Sequence, residues 1–130
     1  MSTKAKWYLL INVKIEINVI EKLERFFTCE NEILLNFALL VYYNLAFDKL
    51  GREVIERCSL IPKFVNLLAQ DSPNRMTALN ILYLLSTDPG IRYTLAYTNC
   101  MDYVMKLILF PHPNVGGVEL LALAINLSAN

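Results

Sequence analysis

The chain has 130 residues, of which 55% are hydrophobic and 18% charged, and its 12 basic and 12 acidic side chains give no net charge. A composition this apolar excludes intrinsic disorder. The chain has no basic run, and because nucleic-acid phosphates bind positive surfaces, a nucleic-acid partner is not expected. The longest uncharged stretch, 33–47, is shorter than the roughly 20 apolar residues that cross a bilayer, so we expect no membrane insertion.

The N-terminal segment has the least clear pattern, and residues 1–16 form an uncertain lead segment. Residues 11–19 alternate β-branched and polar side chains, as a strand does, whereas the repeat context favours a helix from about Ile17. Trp7–Val13 follows two lysines, as in a signal peptide, but it is short and no small-residue cleavage site follows. We therefore expect no secretion.

A partial helical unit is predicted over residues 17–47. Ile20, Leu23, Phe26 and Phe27 have the spacing of one helical face, and Glu32–Phe47 forms a longer helix.

The best-formed unit covers residues 48–87 and contains three predicted helices. The first is Arg52–Cys58, and the second starts at Pro62, whose fixed φ suits the first turn of a helix. The third has Ser72 as its N-cap and Pro73 at its first position, and it runs to about Ser86. Five apolar side chains of this third helix are expected to face inward: Ala78, Leu79, Ile81, Leu82 and Leu85.

The last unit covers residues 88–130. Asp88, Pro89 and Gly90 form a turn that can also cap the following helix. Helices are predicted at about 91–98, 101–110 and 116–128.

The units repeat with a period of 40 residues. Leu85–Ser86 recurs as Leu127–Ser128, two residues late, because the loop 110–117 is longer. Most of the matched positions are apolar. The residues that recur are Asp48, Arg52, Ile55, Ile61, Phe64, Leu67 and Leu68, and their counterparts 40 positions later are Asp88, Arg92, Leu95, Met101, Val104, Leu107 and Ile108. Such a period predicts a stack of small helical units that bury their apolar faces against one another.

Three helices in about 40 residues is the armadillo pattern, and Ala38–Ala46 fits its third helix except at Tyr42. Three longer segments, Val19–Asp48, Ala96–Leu109 and Glu119–Asn130, resemble the kinesin-associated protein family, the non-motor subunits of heterotrimeric kinesin. The resemblance implies an all-α, right-handed armadillo-type solenoid of about three repeats. It also implies a single array over 1–130, with further armadillo repeats beyond Asn130.

The function that this resemblance implies is that of an adaptor. Its partners would be kinesin motor-subunit tails and cargo proteins, in microtubule-based and ciliary (intraflagellar) transport, and its location would be the cytoplasm, with microtubules and the cilium. Two alternatives stay open. One is another armadillo scaffold, either an import adaptor or a small-GTPase regulator, and the other is a helical membrane-associated subunit.

The candidate binding residues come from the third helices. Armadillo arrays bind extended partners along the groove that these helices form, and an aromatic and an asparagine line it. The family pattern places the asparagine positions at Asn44, Leu84 and Asn126 and the aromatic ones at Leu40, Asn80 and Ala122, so import-type peptide binding is disfavoured. Tyr43 and Tyr83 match across repeats and are candidate exposed anchors. Alternatively, Asn44 and Asn126 satisfy local backbone groups.

No catalytic residue, metal site or cofactor is predicted. The only histidine, His112, lies between two prolines, and Cys29, Cys58 and Cys100 are widely spaced and expected to be buried free thiols. The last predicted repeat is expected to expose Leu120, Leu121, Leu123 and Leu127, which would leave the chain marginally stable.

Overall fold

The computed structural model describes residues 18–129. No strand occurs within this range, so the all-α prediction is confirmed there. Residues 1–16 and the strand-like alternation up to residue 17 lie outside the described range. The helices are α1 (18–24), followed by the 3-10 turn Arg25–Thr28, then α2 (Glu32–Leu45), α3 (Lys49–Arg57), α4 (Ile61–Ala69), α5 (Arg75–Ser86), α6 (Pro89–Leu95), α7 (Cys100–Leu109) and α8 (Gly117–Leu127).

The long third helices pack side by side in chain order. Helix α5 contacts both α2 and α8, while α4 packs against α5 and α7, and α7 packs against α8. Neighbour-to-neighbour packing of this kind is consistent with an α-solenoid. The armadillo type, the right hand and the repeat boundaries stay predictions.

The first helices of the predicted repeats begin earlier than the sequence indicated. Helix α3 starts at Lys49 and α6 at Pro89; Asp48 and Asp88 are the N-cap residues, but only the Asp88 side chain makes a capping hydrogen bond. The Asp88 carboxylate accepts a hydrogen bond from the Gly90 N–H at 2.9 Å, which satisfies one of the free donors of the first turn. The Asp-Pro-Gly turn therefore caps α6, as predicted.

The predicted start of α5 is wrong. The helix begins at Arg75 with Asn74 as its N-cap residue, not at Pro73 after Ser72. The Ser72 hydroxyl accepts from the Asn74 N–H at 3.1 Å, and the Ser72 carbonyl accepts from the Arg75 N–H at 3.1 Å. These bonds close a turn before the helix, so the helical geometry starts later.

The core runs along the inner sides of the third helices. All five side chains of α5 that were predicted to face inward are fully buried. The expectation for the last helix is wrong in part: Leu120 and Leu123 are buried because they face the neighbouring helices, Leu127 is half-buried, and Leu121 is exposed.

An aromatic cluster packs the 3-10 turn against the core, and a hydrogen bond from one of its rings reaches α1. Phe27, Tyr42 and Phe64 pack together, with ring centroids 5.4 Å apart for Tyr42 and Phe64 and 5.7 Å apart for Phe27 and Tyr42. The buried Tyr42 hydroxyl donates to the Ile20 carbonyl at 3.0 Å. Burial, with a smaller contribution from the Glu24 carboxylate, raises the pKa of Tyr42 above its usual value. The hydroxyl therefore stays protonated and keeps α1 attached to α2.

Candidate partner-binding surface

The candidate binding residues lie on three neighbouring helices. Because α5 packs between α2 and α8, the third helices form one continuous layer. We call the seven predicted positions the third-helix surface: Leu40, Tyr43 and Asn44 on α2, Asn80, Tyr83 and Leu84 on α5, and Asn126 on α8.

Only part of this surface is open to a partner. Leu40, Asn44 and Tyr83 are exposed, whereas Tyr43 and Leu84 are half-buried against the core. The Tyr43 ring also packs edge to face on Phe47, with centroids 4.9 Å apart. Of the two candidate tyrosine anchors, Tyr83 is therefore the more accessible.

The Asn126 amide is used within the protein. Its Nδ2 donates to the Ser86 hydroxyl at 3.0 Å, and that hydroxyl in turn donates to the Tyr83 carbonyl at 2.6 Å. The partner of Asn126 is thus a side chain on the neighbouring helix, not a local backbone group. The bond joins α8 to α5. It uses an N–H of the amide that the sequence predicted to bind a partner.

Several exposed apolar residues on these helices were not predicted. Ile33 and Phe37 on α2 and Ile125 on α8 are all exposed, as is Leu121, whose exposure was expected. Ile125 occupies the position of Tyr43 and Tyr83 once the two-residue shift of the last repeat is counted. The repeat alignment alone could therefore have found it.

The third helices carry few charges. Their charged residues are Glu32 on α2, Arg75 on α5 and Glu119 on α8, and each lies in the first turn of its helix. Beyond those turns the layer is uncharged. An uncharged apolar layer suits the apolar face of a partner helix and offers no carboxylates to a basic peptide.

A second group of exposed aromatic residues lies on α6 and the turn after it. The Tyr97 hydroxyl donates to the Tyr93 hydroxyl at 2.9 Å, and this bond raises the pKa of Tyr97. A shallow open depression of about 250 Å³ beside them is lined by Pro62, Asn66, Tyr97 and Tyr103, among others. Tyr93 and Tyr97 are therefore exposed aromatic residues that lie outside the third-helix surface.

The described residues hold no group of three metal-binding side chains. The cysteines within 18–129 are free, but only Cys100 is buried, so the prediction of burial is wrong for the half-buried Cys29 and Cys58. Burial raises the pKa of Cys100 to about 12. The pKa of Cys58 is also raised, mainly by burial and to a smaller extent by the negative charges of Glu21 and Glu24. Both thiols are therefore protonated at neutral pH and are poor nucleophiles.

The single histidine has a structural contact. His112 Nε2 lies 3.0 Å from the Asp71 carboxylate. This contact joins the loop before α8 to the loop before α5. Between residues 18 and 129, no helix combines the length and the apolar character needed to cross a bilayer.

A family model described as kinesin-associated protein (KAP) matches residues 10–130. The chain belongs to the KAP family. The match includes every helix of the structure, and it confirms the resemblance that the three sequence segments indicated. KAP membership supports a kinesin-associated role. No solved structure matches the chain.

Proposed function

We propose that this KAP-family chain is a protein–protein interaction scaffold within the adaptor that links heterotrimeric kinesin motor tails to cargo. Its helices would form a right-handed armadillo-type solenoid, and its setting would be microtubule-based and ciliary transport in the cytoplasm. The observation that carries the proposal is the family match over residues 10–130. The role is non-enzymatic, and neither a metal nor a cofactor takes part.

The third-helix surface supports binding of a motor tail through an apolar helical segment. Leu40 and Tyr83 are exposed on adjacent helices, and Phe37 and Ile125 extend the apolar area on either side. Exposed aromatic and aliphatic side chains in one layer are the usual anchors of a helix-in-groove interface. Asn44 and Asn80 lie beside them and can pair with polar groups of the tail.

The alternatives have less support. An import adaptor binds basic peptides, yet beyond their first turns the third helices carry no carboxylate that could pair with such a peptide. A membrane-associated subunit would have to attach through its surface or a partner, since no described helix is suited to span a bilayer.

The test is a binding titration of the purified chain against the tail segments of the heterotrimeric kinesin motor subunits. We expect Tyr83→Ala, alone and combined with Tyr43→Ala, to weaken tail binding at least tenfold, as anchors of an interface do. Tyr93→Ala removes an equally aromatic, exposed side chain outside the third-helix surface and should leave the affinity unchanged. Circular dichroism and a thermal melt show whether each variant is folded.

Two results would count against the proposal. A folded chain that binds no motor tail contradicts the adaptor role of this segment. Tail binding that falls with Tyr93→Ala but not with Tyr83→Ala would keep the adaptor role and move the interface to α6.

A further inference from the structure

An open pocket lies between α2 and the loop that leads into α5. Its volume is about 360 Å³. Three apolar and three polar residues line it, namely Ile33, Phe37, Pro73, Glu32, Asn36 and Asn74. Both of its walls belong to neighbouring units of the array, so the pocket is internal to the layer of third helices. We call it the α2–α5 pocket.

Asn74 offers a hydrogen-bond acceptor to this pocket. The residue is only 2% exposed, and its Nδ2 donates to the Glu32 carbonyl at 3.4 Å. The other atom of the amide is Oδ1, which accepts no hydrogen bond from the residues that the structure describes. This oxygen is not among the fully enclosed atoms, so a group that enters the pocket can reach it. A bound donor would therefore satisfy an amide that is otherwise only half paired.

The equivalent place between α5 and α8 is filled by the protein itself. Met76 corresponds to Asn36, and Gly116 corresponds to Asn74 once the two-residue shift of the last repeat is counted. Met76 packs against the core, and its Sδ accepts from the Gly116 N–H at 3.4 Å. One junction thus holds an unbranched aliphatic side chain at this place, whereas the shorter Asn36 leaves the same place open at the other.

The charges around the α2–α5 pocket favour a cation. Glu32 is the only charged residue that lines it, and Glu32 is exposed and forms no ion pair within residues 18–129. Arg75 follows Asn74 in the sequence, but its Nη2 donates to the Ala69 carbonyl at the end of α4, at 3.3 Å. The amide oxygens of Asn36 and Asn74 add two acceptors to the carboxylate. An ammonium group, with three donors and no acceptor, matches this set.

We propose that the α2–α5 pocket binds the side chain of one lysine from a protein partner. The aliphatic stem of the lysine takes the place that Met76 fills between α5 and α8, against the apolar walls. The ammonium at its end donates to Asn74 Oδ1 and pairs with the Glu32 carboxylate. One carboxylate selects one basic residue, unlike the run of basic residues in an import peptide. The site is defined by the chemistry of this side chain, so it holds or fails whether or not the partner is a motor tail.

The test is a heteronuclear NMR titration of the full 130-residue chain with Nα-acetyl-lysine methylamide at low ionic strength. We expect the signals of Asn36 and Asn74 to shift and to saturate with a dissociation constant on the order of 10 mM, since a single side chain makes the contact. Nα-acetyl-norleucine methylamide has the same stem without the ammonium. It should bind about two- to fivefold more weakly, which is the effect of one solvent-exposed ion pair.

Three variants separate the two parts of this contact. Glu32→Gln should remove the preference for the lysine probe and leave the affinity for the norleucine probe unchanged. Asn36→Met should fill the pocket from within, as Met76 fills its equivalent, and abolish the binding of both probes. Asn66→Met makes the same exchange at an exposed position of α4 and should have no effect. A thermal melt shows whether each variant is folded.

Three results would overturn the proposal. Equal affinities of the native chain for the two probes would show an apolar site that does not select a cation. Titration with the lysine probe that leaves the signals of Asn36 and Asn74 unchanged would show that the pocket is not a binding site. Shifts that persist in a folded Asn36→Met variant would place the probe elsewhere on the chain.

Discussion

Arg52 and Arg92 lie at equivalent positions of two successive predicted repeats, and each donates to a carbonyl at the end of the preceding third helix. Arg52 Nη1 lies 3.0 Å from the Ala46 carbonyl and 2.9 Å from that of Phe47, and Arg92 Nη1 lies 3.3 Å from the Ser86 carbonyl. The last carbonyls of a helix have no partner within it, and a cation there also meets the negative end of the helix dipole. The recurrence of this arginine at 40 residues thus has a physical cause.

Arg52→Ala should lower the free energy of unfolding by about 1.5–3 kcal/mol, because it removes two charge-assisted hydrogen bonds from the end of α2. Arg57→Ala, at an exposed position of the same helix, should change it by less than about 0.5 kcal/mol. Urea denaturation of both variants measures the difference. Equal effects would show that the helix-end contact adds no stability.

Gly51→Ala should destabilise the chain by about 1–3 kcal/mol, the usual cost of overpacking. A β-carbon on Gly51 would overlap the carbonyl oxygen of Leu45, where α3 crosses the end of α2. Helix propensity alone predicts the opposite sign, since alanine is favoured over glycine within helices by roughly 0.5–1 kcal/mol. Gly117→Ala is the matched control, because a β-carbon there meets nothing within 4 Å. A stabilised Gly51→Ala variant would refute the close approach.

Stability should fall as the pH rises above 9, the ordinary pKa of a thiol. Burial raises the pKa of Cys100 to about 12, so between these values the unfolded state loses the thiol proton and the folded state keeps it. The expected slope is about 1.4 kcal/mol per pH unit. Urea melts at pH 8, 9 and 10 should show a smaller slope for Cys100→Ala. Val104→Ala, equally buried on the same helix, should lower stability at every pH and keep the slope.

The chain by itself should have a melting temperature below about 60 °C, in the ordinary range of small mesophilic domains or lower. Leu121, Val118 and Ile125 leave apolar area exposed on α8, and apolar area that stays in contact with water contributes no hydrophobic stabilisation. Differential scanning calorimetry at several low protein concentrations measures this, and a midpoint that does not change with concentration shows that the transition is monomeric. A sharp monomeric transition well above that temperature would contradict the expectation.

The 40-residue period was enough to predict the helices and most of the core, because matched apolar positions must face the same neighbours in each repeat. The buried apolar residues of α5 were all identified in this way, whereas the buried Ser86 was not. The start of α5 was not, because two turn hydrogen bonds involving Ser72 competed with the helix-cap signal of the same residue. Short polar side chains serve turns and caps equally well, and the local sequence does not decide between them.

The candidate surface was less predictable than the fold. The alignment located the positions on the third helices, but exposure depends on which neighbours are present. Leu120 and Leu123 are buried because α8 packs against α5 and α7, while Leu121 between them is exposed. The bond from Asn126 to Ser86 was also missed, since periodicity relates equivalent residues and does not show which positions meet across a junction.

The difference between the two internal junctions means that the order of the repeats cannot be changed freely. At the contact between α2 and α5, Ala46 and Leu84 occupy the positions that Ser86 and Asn126 occupy at the contact between α5 and α8. Deleting residues 48–87 would bring α8 against α2 and set Asn126 opposite Ala46, so that the amide would be covered without an acceptor at a cost of about 1–3 kcal/mol. Shortening this array by one unit therefore requires a second change, such as Ala46→Ser, to restore the hydrogen bond.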